Sequence, residues 1–173
     1  MLIAIQNMDI KLLSLIQRRL RCAVLDKVMP LITALGTFGI VWGVVMIIFL
    51  RTPRYRRMGI ILFVTLAVCA VFTNVILKLV VARPRPCHIF TDIPLLISCP
   101  MDFSFPSGHT MSSFAAATVI LHTNAVLGII ALAFAILISF SRLYLFVHFP
   151  SDVLAGILFG VLTAGVMLMV FQY

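Results

Sequence analysis

The chain contains no glutamate, and its only acidic residues are five aspartates, Asp9, Asp26, Asp92, Asp102 and Asp152. A two-metal hydrolytic site draws several oxygen or imidazole ligands into a tight shell. Of the five aspartates only Asp152 is well placed to contribute, so no metal and no other cofactor is expected. Charge of either sign is scarce: Asp, Glu, Lys and Arg make up 10% of the 173 residues against 63% hydrophobic ones, and mean hydropathy is +1.22. That balance excludes a soluble domain with a polar surface and predicts an integral membrane protein. Linkers and low-complexity tracts are lacking too, so a single domain over 1–173 is expected. A cleavable signal peptide is not, because the basic cluster Arg18, Arg19, Arg21 follows the first apolar stretch instead of preceding it.

What the chain has in quantity is apolar sequence. Crossing the hydrocarbon core takes about 20 apolar residues, and the runs 28–50, 58–81, 125–147 and 152–172 are long enough. A fifth run, 107–123, is shorter, carries His109 at its start and His122 at its end, and reads as a span buried within the bundle. In residues 1–27, Asp9, Lys11, Arg18, Arg19, Arg21, Asp26 and Lys27 interrupt any stretch that could cross. Ile3, Ile5, Ile10, Leu12, Leu13, Leu15 and Ile16 recur there in a roughly helical rhythm, as in a helix lying in the interface. The expected fold is all-α: a polytopic membrane helical bundle of about five transmembrane helices over 28–173, preceded by an N-terminal amphipathic interfacial helix within 1–27. Gly156, Gly160 and Ala164, at spacing four, predict a close helix contact.

Net charge is +8, but nucleic acid is not the expected partner. Arg51, Arg54, Arg56 and Arg57 flank a span end, where they would anchor a short loop among anionic head groups. Cys87 and Cys99 bracket the one long polar loop, 82–105, and could form a disulfide in an oxidising compartment or remain free thiols.

Ionisable side chains at span ends are expensive and mark function by default. They fall into three clusters: Lys78 to Pro86, Pro106 to His109, and Ser141 to Asp152. If the spans alternate in direction, all three meet in one layer of the membrane. Singly, Lys78 or Arg142 would pass for a snorkelling anchor and His148 for an interfacial aromatic; three cations, two imidazoles and a carboxylate together would not.

Lys78, Arg85 and Arg142 offer a concentrated positive site suited to phosphate oxygens. Ser107 and Gly108 open a helix whose free N–H groups and positive dipole end favour an anion. Asp152, four residues after His148, can fix the tautomer of that imidazole and raise the basicity of its other nitrogen, which makes His148 a candidate nucleophile. His109, on another helix, is then free to be the proton donor. A protein that only holds or translocates a lipid head group would use the same cations but would not need the two histidines.

The sequence Lys78, six residues, Arg85-Pro86; Pro106-Ser107-Gly108-His109; Ser141-Arg142, five residues, His148, three residues, Asp152 resembles the three-part signature of the type 2 phosphatidic acid phosphatase (PAP2) superfamily, at all eleven motif positions. The resemblance implies a phosphatase working through a phosphohistidine, and the scarcity of acidic residues makes it a metal-independent one. His148 would be the nucleophile, Asp152 its orienting partner and His109 the acid; Lys78, Arg85, Arg142, Ser107 and the Gly108 backbone would bind the phosphoryl group. High hydrophobicity sets the chain apart from the family's soluble members and points to a lipid phosphate as substrate. Undecaprenyl diphosphate is favoured on the family's bacterial role; phosphatidylglycerol phosphate, phosphatidate and diacylglycerol pyrophosphate are the alternatives. Many bacterial members have six crossings, so here an interfacial helix would replace the first. Charge counting leaves orientation open: apart from the three site cations, Lys11, Arg18, Arg19, Arg21, Lys27 and Arg83 on the site's side face four arginines on the other. The resemblance favours a plasma-membrane protein with an extracytoplasmic site.

Overall fold

The computed structural model describes residues 2–172, so Met1 and Tyr173, at the ends of the expected ranges 1–27 and 28–173, lie outside the described residues, as does the side chain of Ile3. Among the described residues every regular element is helical. Helix α1 spans Leu2–Arg19, with Arg18 and Arg19 in its last turn beside the negative end of the dipole. After a break at 20–22, α2 (Ala23–Gly36) and α3 (Ile40–Arg51) follow, joined by a single 3₁₀ turn.

The chain bends by 46° between α2 and α3, and Gly39 stands there at φ +65°, a conformation glycine adopts without a Cβ penalty. The 28–50 run is therefore a bent pair, and the expected boundary at residue 28 falls inside α2. Asp26 sits in the first turn of that helix and Lys27 just after it; Asp26 accepts a hydrogen bond from the Tyr144 hydroxyl at 2.6 Å and pairs with Arg21 at 3.5 Å.

A short basic turn leads to α4 (Arg56–Val71), which continues through one wide π-helical turn at Phe72–Leu77 into α5 (Lys78–Val81). Ala82, left-handed at φ 46°, ends that path. Helix α6 (Pro86–Ile89) and a loop lead to α7 (Gly108–Thr123). Asn124 then caps α8 (Ala125–Tyr144), its side chain accepting from the Leu127 N–H at 3.0 Å. Helix α9 spans Pro150–Val170, with proline at a first-turn position where its missing N–H costs nothing.

Among the described residues the paths Pro53–Ile89, Ala125–Tyr144 and Pro150–Val170 are long and apolar enough to cross a membrane, and α2 with α3 makes a fourth if the bent pair is one span. Helix α7, at 16 residues, is shorter but occupies the centre. It packs against α8, α9 and α4, burying Met111, Ala115, Ala116, Ala117, Val119 and Ile120. The small-residue contact is real and lies between α7 and α9: a Cβ on Gly160 would come within 2.4 Å of the Met111 carbonyl oxygen, and one on Gly156 within 2.8 Å of the Ser107 oxygen.

Helix α1 docks on the ends of α8 and α9. Its apolar side chains divide: Ile5, Leu12 and Leu15 are exposed, while Leu13 is fully buried against Phe146 and Phe149. Leu13 thus faces protein, where the sequence rhythm alone would have turned it to lipid.

Candidate active site

The π-helical turn before Lys78 brings Asn74 to its ammonium, which donates to Asn74 Oδ1 at 3.0 Å and also to Asp102 Oδ2. Arg85, buried at the N-cap of α6, is held on all sides. Its Nε donates to the Asp102 carbonyl at 2.8 Å, Nη2 to Asp102 Oδ1 at 2.6 Å, and Nη1 to the Val147 carbonyl at 2.8 Å. Arg142, in the last turn of α8, donates from Nη1 to Thr33 Oγ1 at 2.5 Å. Its Nε is buried and has no hydrogen-bond partner among the described residues.

His148 lies in the α8–α9 turn, so it meets Asp152 through a turn and the first turn of α9 rather than along one helix face. Arg85 Nη1 stands 3.0 Å from His148 Nε2. A guanidinium can only donate, so Nε2 is the acceptor, its lone pair is free of a proton, and the neutral ring carries its hydrogen on Nδ1. That nitrogen faces Asp152 Oδ2 at 3.6 Å, too far for a hydrogen bond as the site stands; catalytic contacts of this kind often close only with substrate bound. Burial first, and then the charges of Arg85, Arg142 and Lys78, push the His148 imidazole well below its ordinary value.

Asp152 is fully buried. Its Oδ2 accepts from the Phe149 N–H at 2.8 Å and its Oδ1 from Arg83 Nη1 at 2.7 Å. Ser107 is the N-cap of α7, its hydroxyl accepting from the Thr110 hydroxyl at 3.0 Å and from the Thr110 N–H at 3.5 Å. His109, in the first turn, has Nε2 3.5 Å from Thr37 Oγ1.

One cleft of about 940 Å³ joins these groups. Lys78, Arg85, Gly108, His109, Arg142 and His148 all line it. Ser107 and Asp152 do not; they stand behind its wall, one capping a helix and the other behind His148. Away from the cations the cleft runs on between α3 and α4, past Gly43, Met46, Leu66 and Ala70.

Three side chains at the site were not marked by sequence reasoning. Asp102 bridges Lys78 and Arg85. Arg83, counted above only as a loop charge, binds Asp152 and Asp9. Asp9 reaches the site from α1. Proximity of Arg83 to Arg85 and Asp102 to Pro106 in sequence was the only available signal, and it does not distinguish them from solvated loop charges. The disulfide left open by the sequence is formed between Cys87 and Cys99, closing the loop that carries Asp102 against α6. The cleft's polar lining is dominated by cations, and Asp102, the carboxylate that lines it, is already paired with Lys78 and Arg85, a donor set that suits an anion.

The PAP2 superfamily pattern matches residues 58–173, and the chain belongs to that superfamily. It is similar to an undecaprenyl-diphosphatase of Sulfolobus acidocaldarius, 37% identical over 121 residues that make up 69% of this chain and 58% of that protein. The chain thus matches a little over half of that relative's length. The crystal structure of Aquifex aeolicus LpxE superposes with a TM-score of 0.80 at 29% identity, covering 92% of this chain and 94% of that one. A transmembrane PAP2 type phosphatidylglycerolphosphate phosphatase from Bacillus subtilis superposes at 0.74 with 27% identity, over 98% and 87% of the two chains.

Proposed function

We propose that the protein is a metal-independent membrane lipid phosphatase that acts through a phosphohistidine, with undecaprenyl diphosphate as its substrate. The observation that carries this reading is the convergence of Lys78, Arg85, Arg142, His109 and His148 on one cleft whose far end is apolar. The buried Arg142 Nε, without a hydrogen-bond partner among the described residues, gives a phosphoryl oxygen a donor to occupy. The N–H groups at the start of α7 add the positive end of a helix.

In the reaction His148 Nε2 attacks phosphorus, and the bond from phosphorus to the bridging oxygen breaks. His109 protonates that oxygen as undecaprenyl phosphate leaves. Water, deprotonated by His109, then attacks the phosphohistidine; the N–P bond breaks and inorganic phosphate departs, restoring both histidines. Asp152 stabilises the imidazole as it becomes cationic during attack. The apolar stretch between α3 and α4 receives the lipid tail.

The same reading places the whole chain in one domain in the plasma membrane, with α1 along the surface on the active-site side and the cleft extracytoplasmic. The Cys87–Cys99 disulfide, two residues beyond Arg85 and three before Asp102, supports that orientation, because disulfides persist mainly in oxidising compartments. Phosphate release by detergent-purified protein from undecaprenyl diphosphate, phosphatidylglycerol phosphate, phosphatidate and diacylglycerol pyrophosphate tests the function. Release should be fastest from undecaprenyl diphosphate. Faster release from a diacyl lipid would reassign the substrate, and tight binding of all four without release would leave a head-group binding protein.

A further inference from the structure

Arg83 is a heavily engaged cation that the catalytic scheme does not use. Its Nη1 donates to Asp152 Oδ1 and to Ser151 Oγ, both at 2.7 Å, and its Nη2 donates to Asp9 Oδ2 at 2.7 Å and to Gln6 Oε1 at 2.5 Å. The guanidinium also lies 4.1 Å from the centre of the Phe149 ring, so it is fixed in plane by four acceptors and face-on by an aromatic ring. Asp9, buried on α1, in turn accepts from the Ser151 N–H at 2.9 Å and from the Ser151 hydroxyl at 2.5 Å. Gln6 and Asp9 of α1 thus grip the first turn of α9 and the loop after α5 at the point where Asp152 projects.

We infer that Arg83, held by Asp9, positions the Asp152 carboxylate for His148, and that this makes the N-terminal helix a working part of the catalytic centre. Asp152 is oriented by the Phe149 N–H on Oδ2 and by Arg83 on Oδ1, with the buried Ser104 hydroxyl as a further partner. Without Arg83 the carboxylate keeps only uncharged partners, and a fully buried carboxylate without its cation is costly. With these bonds in place Oδ2 faces His148 Nδ1 at 3.6 Å, from where it can close on that nitrogen and hold the tautomer that leaves Nε2 unprotonated. Asp9 sets where Arg83 can sit, since it binds both the arginine and the residue next to Asp152.

The inference rests on the phosphatase reading, and a purely structural staple is its rival. A staple would lower stability and leave the chemistry of folded protein unchanged. Arg83→Gln should therefore lower kcat about 10- to 100-fold, the scale known for removing the hydrogen-bonded partner behind a metal-ligating side chain, with KM changed less than about twofold. Arg83→Lys, which keeps the charge but not the planar fork, should recover part of that loss, and Asp9→Asn should lower kcat severalfold with Arg83 intact.

A readout independent of turnover is the rate at which diethyl pyrocarbonate modifies His148, followed by mass spectrometry on the full-length protein in detergent. It should fall severalfold in Arg83→Gln and in Asp9→Asn. Unchanged kcat in folded Arg83→Gln, or an equal or faster modification rate in both variants, would overturn the inference. If Arg83→Gln does not fold, the isosteric Asp9→Asn variant decides by the same two readouts. If the unaltered protein releases no phosphate from any lipid, the functional reading falls, while the modification rates still decide whether Arg83 governs His148.

Discussion

Asp102 Oδ1 accepts a hydrogen bond from Arg85 Nη2 at 2.6 Å while its other oxygen accepts one from Lys78, so one carboxylate bridges two of the cations that a phosphoryl group would use. Burial alone would raise its pKa, but the hydrogen bonds and charges of Lys78 and Arg85 outweigh burial and hold it at about 2. The sign follows directly. A carboxyl depressed in the folded state stabilises it above the ordinary carboxylate range, and that contribution is lost only as pH falls through about 2. At every practical assay pH Asp102 is therefore an anion competing with phosphate for the same donors. Asp102→Ala should tighten product inhibition by inorganic phosphate about threefold to tenfold, the scale of one partly screened charge contact at a half-exposed site. Weaker inhibition would mean that Asp102 helps to place the cations more than it blocks them.

The two histidines should separate by leaving group. His148→Ala removes the attacking nitrogen, whereas His109→Ala leaves a nucleophile and removes a proton donor, typically worth about 10²–10⁴-fold. An aryl phosphate needs little protonation, so in His109→Ala it should restore the first half-reaction, read as a burst of released phenol, far more than in His148→Ala. Equal rescue would refute the assignment of roles.

The acid side of the pH profile tests the environment of His148. The nucleophile must be neutral, and burial together with three nearby cations lowers its pKa, so it stays neutral below the ordinary imidazole value of about 6.5. The profile of kcat/KM should be bell-shaped, with its acid limb below about pH 6.5. An acid limb at or above that value would show that His148 is not held neutral as its surroundings require.

The contact between α7 and α9 should tolerate no added atom at Gly160. A Cβ there would stand 2.4 Å from the Met111 carbonyl oxygen and 3.1 Å from the Ala115 nitrogen, both backbone atoms, whereas Gly165 has open space. Gly160→Ala should cost about 1–3 kcal/mol as overpacking and lower the Tm in detergent, while Gly165→Ala should not show that overpacking loss. Equal melting of the two variants would contradict the packing.

The apolar runs were legible because a helix that faces lipid must be apolar along its whole length, and the eleven motif positions were legible because their spacing is itself a pattern. The bend at Gly39 was not, since a glycine within an apolar run reads equally as a helix-packing residue. Arg83 and Asp9 were hidden for another reason. They are 74 residues apart, and a buried ion pair uses the same residue types as a basic anchor and a polar interruption. Leu13 likewise has the character of a lipid-facing residue, and only the docking of α1 against Phe146 and Phe149 turns it inward.

Chelation separates a metal-free mechanism from a metal-assisted one. The cleft gathers three cations, its one lining carboxylate is paired with Lys78 and Arg85, and Asp152 behind its wall is paired with Arg83, so activity should survive dialysis against EDTA. Loss of activity on chelation, restored by a divalent cation, would overturn the metal-free mechanism.

The account stands or falls on the covalent intermediate. Protein incubated with lipid diphosphate labelled at its terminal phosphorus, quenched rapidly in base and digested, should carry acid-labile label on the peptide containing His148. The label should be absent in His148→Ala and should build up through blocked hydrolysis in His109→Ala when an aryl phosphate is the donor. Phosphate release at an undiminished rate by His148→Ala, with no labelled peptide in the unaltered protein, would contradict it.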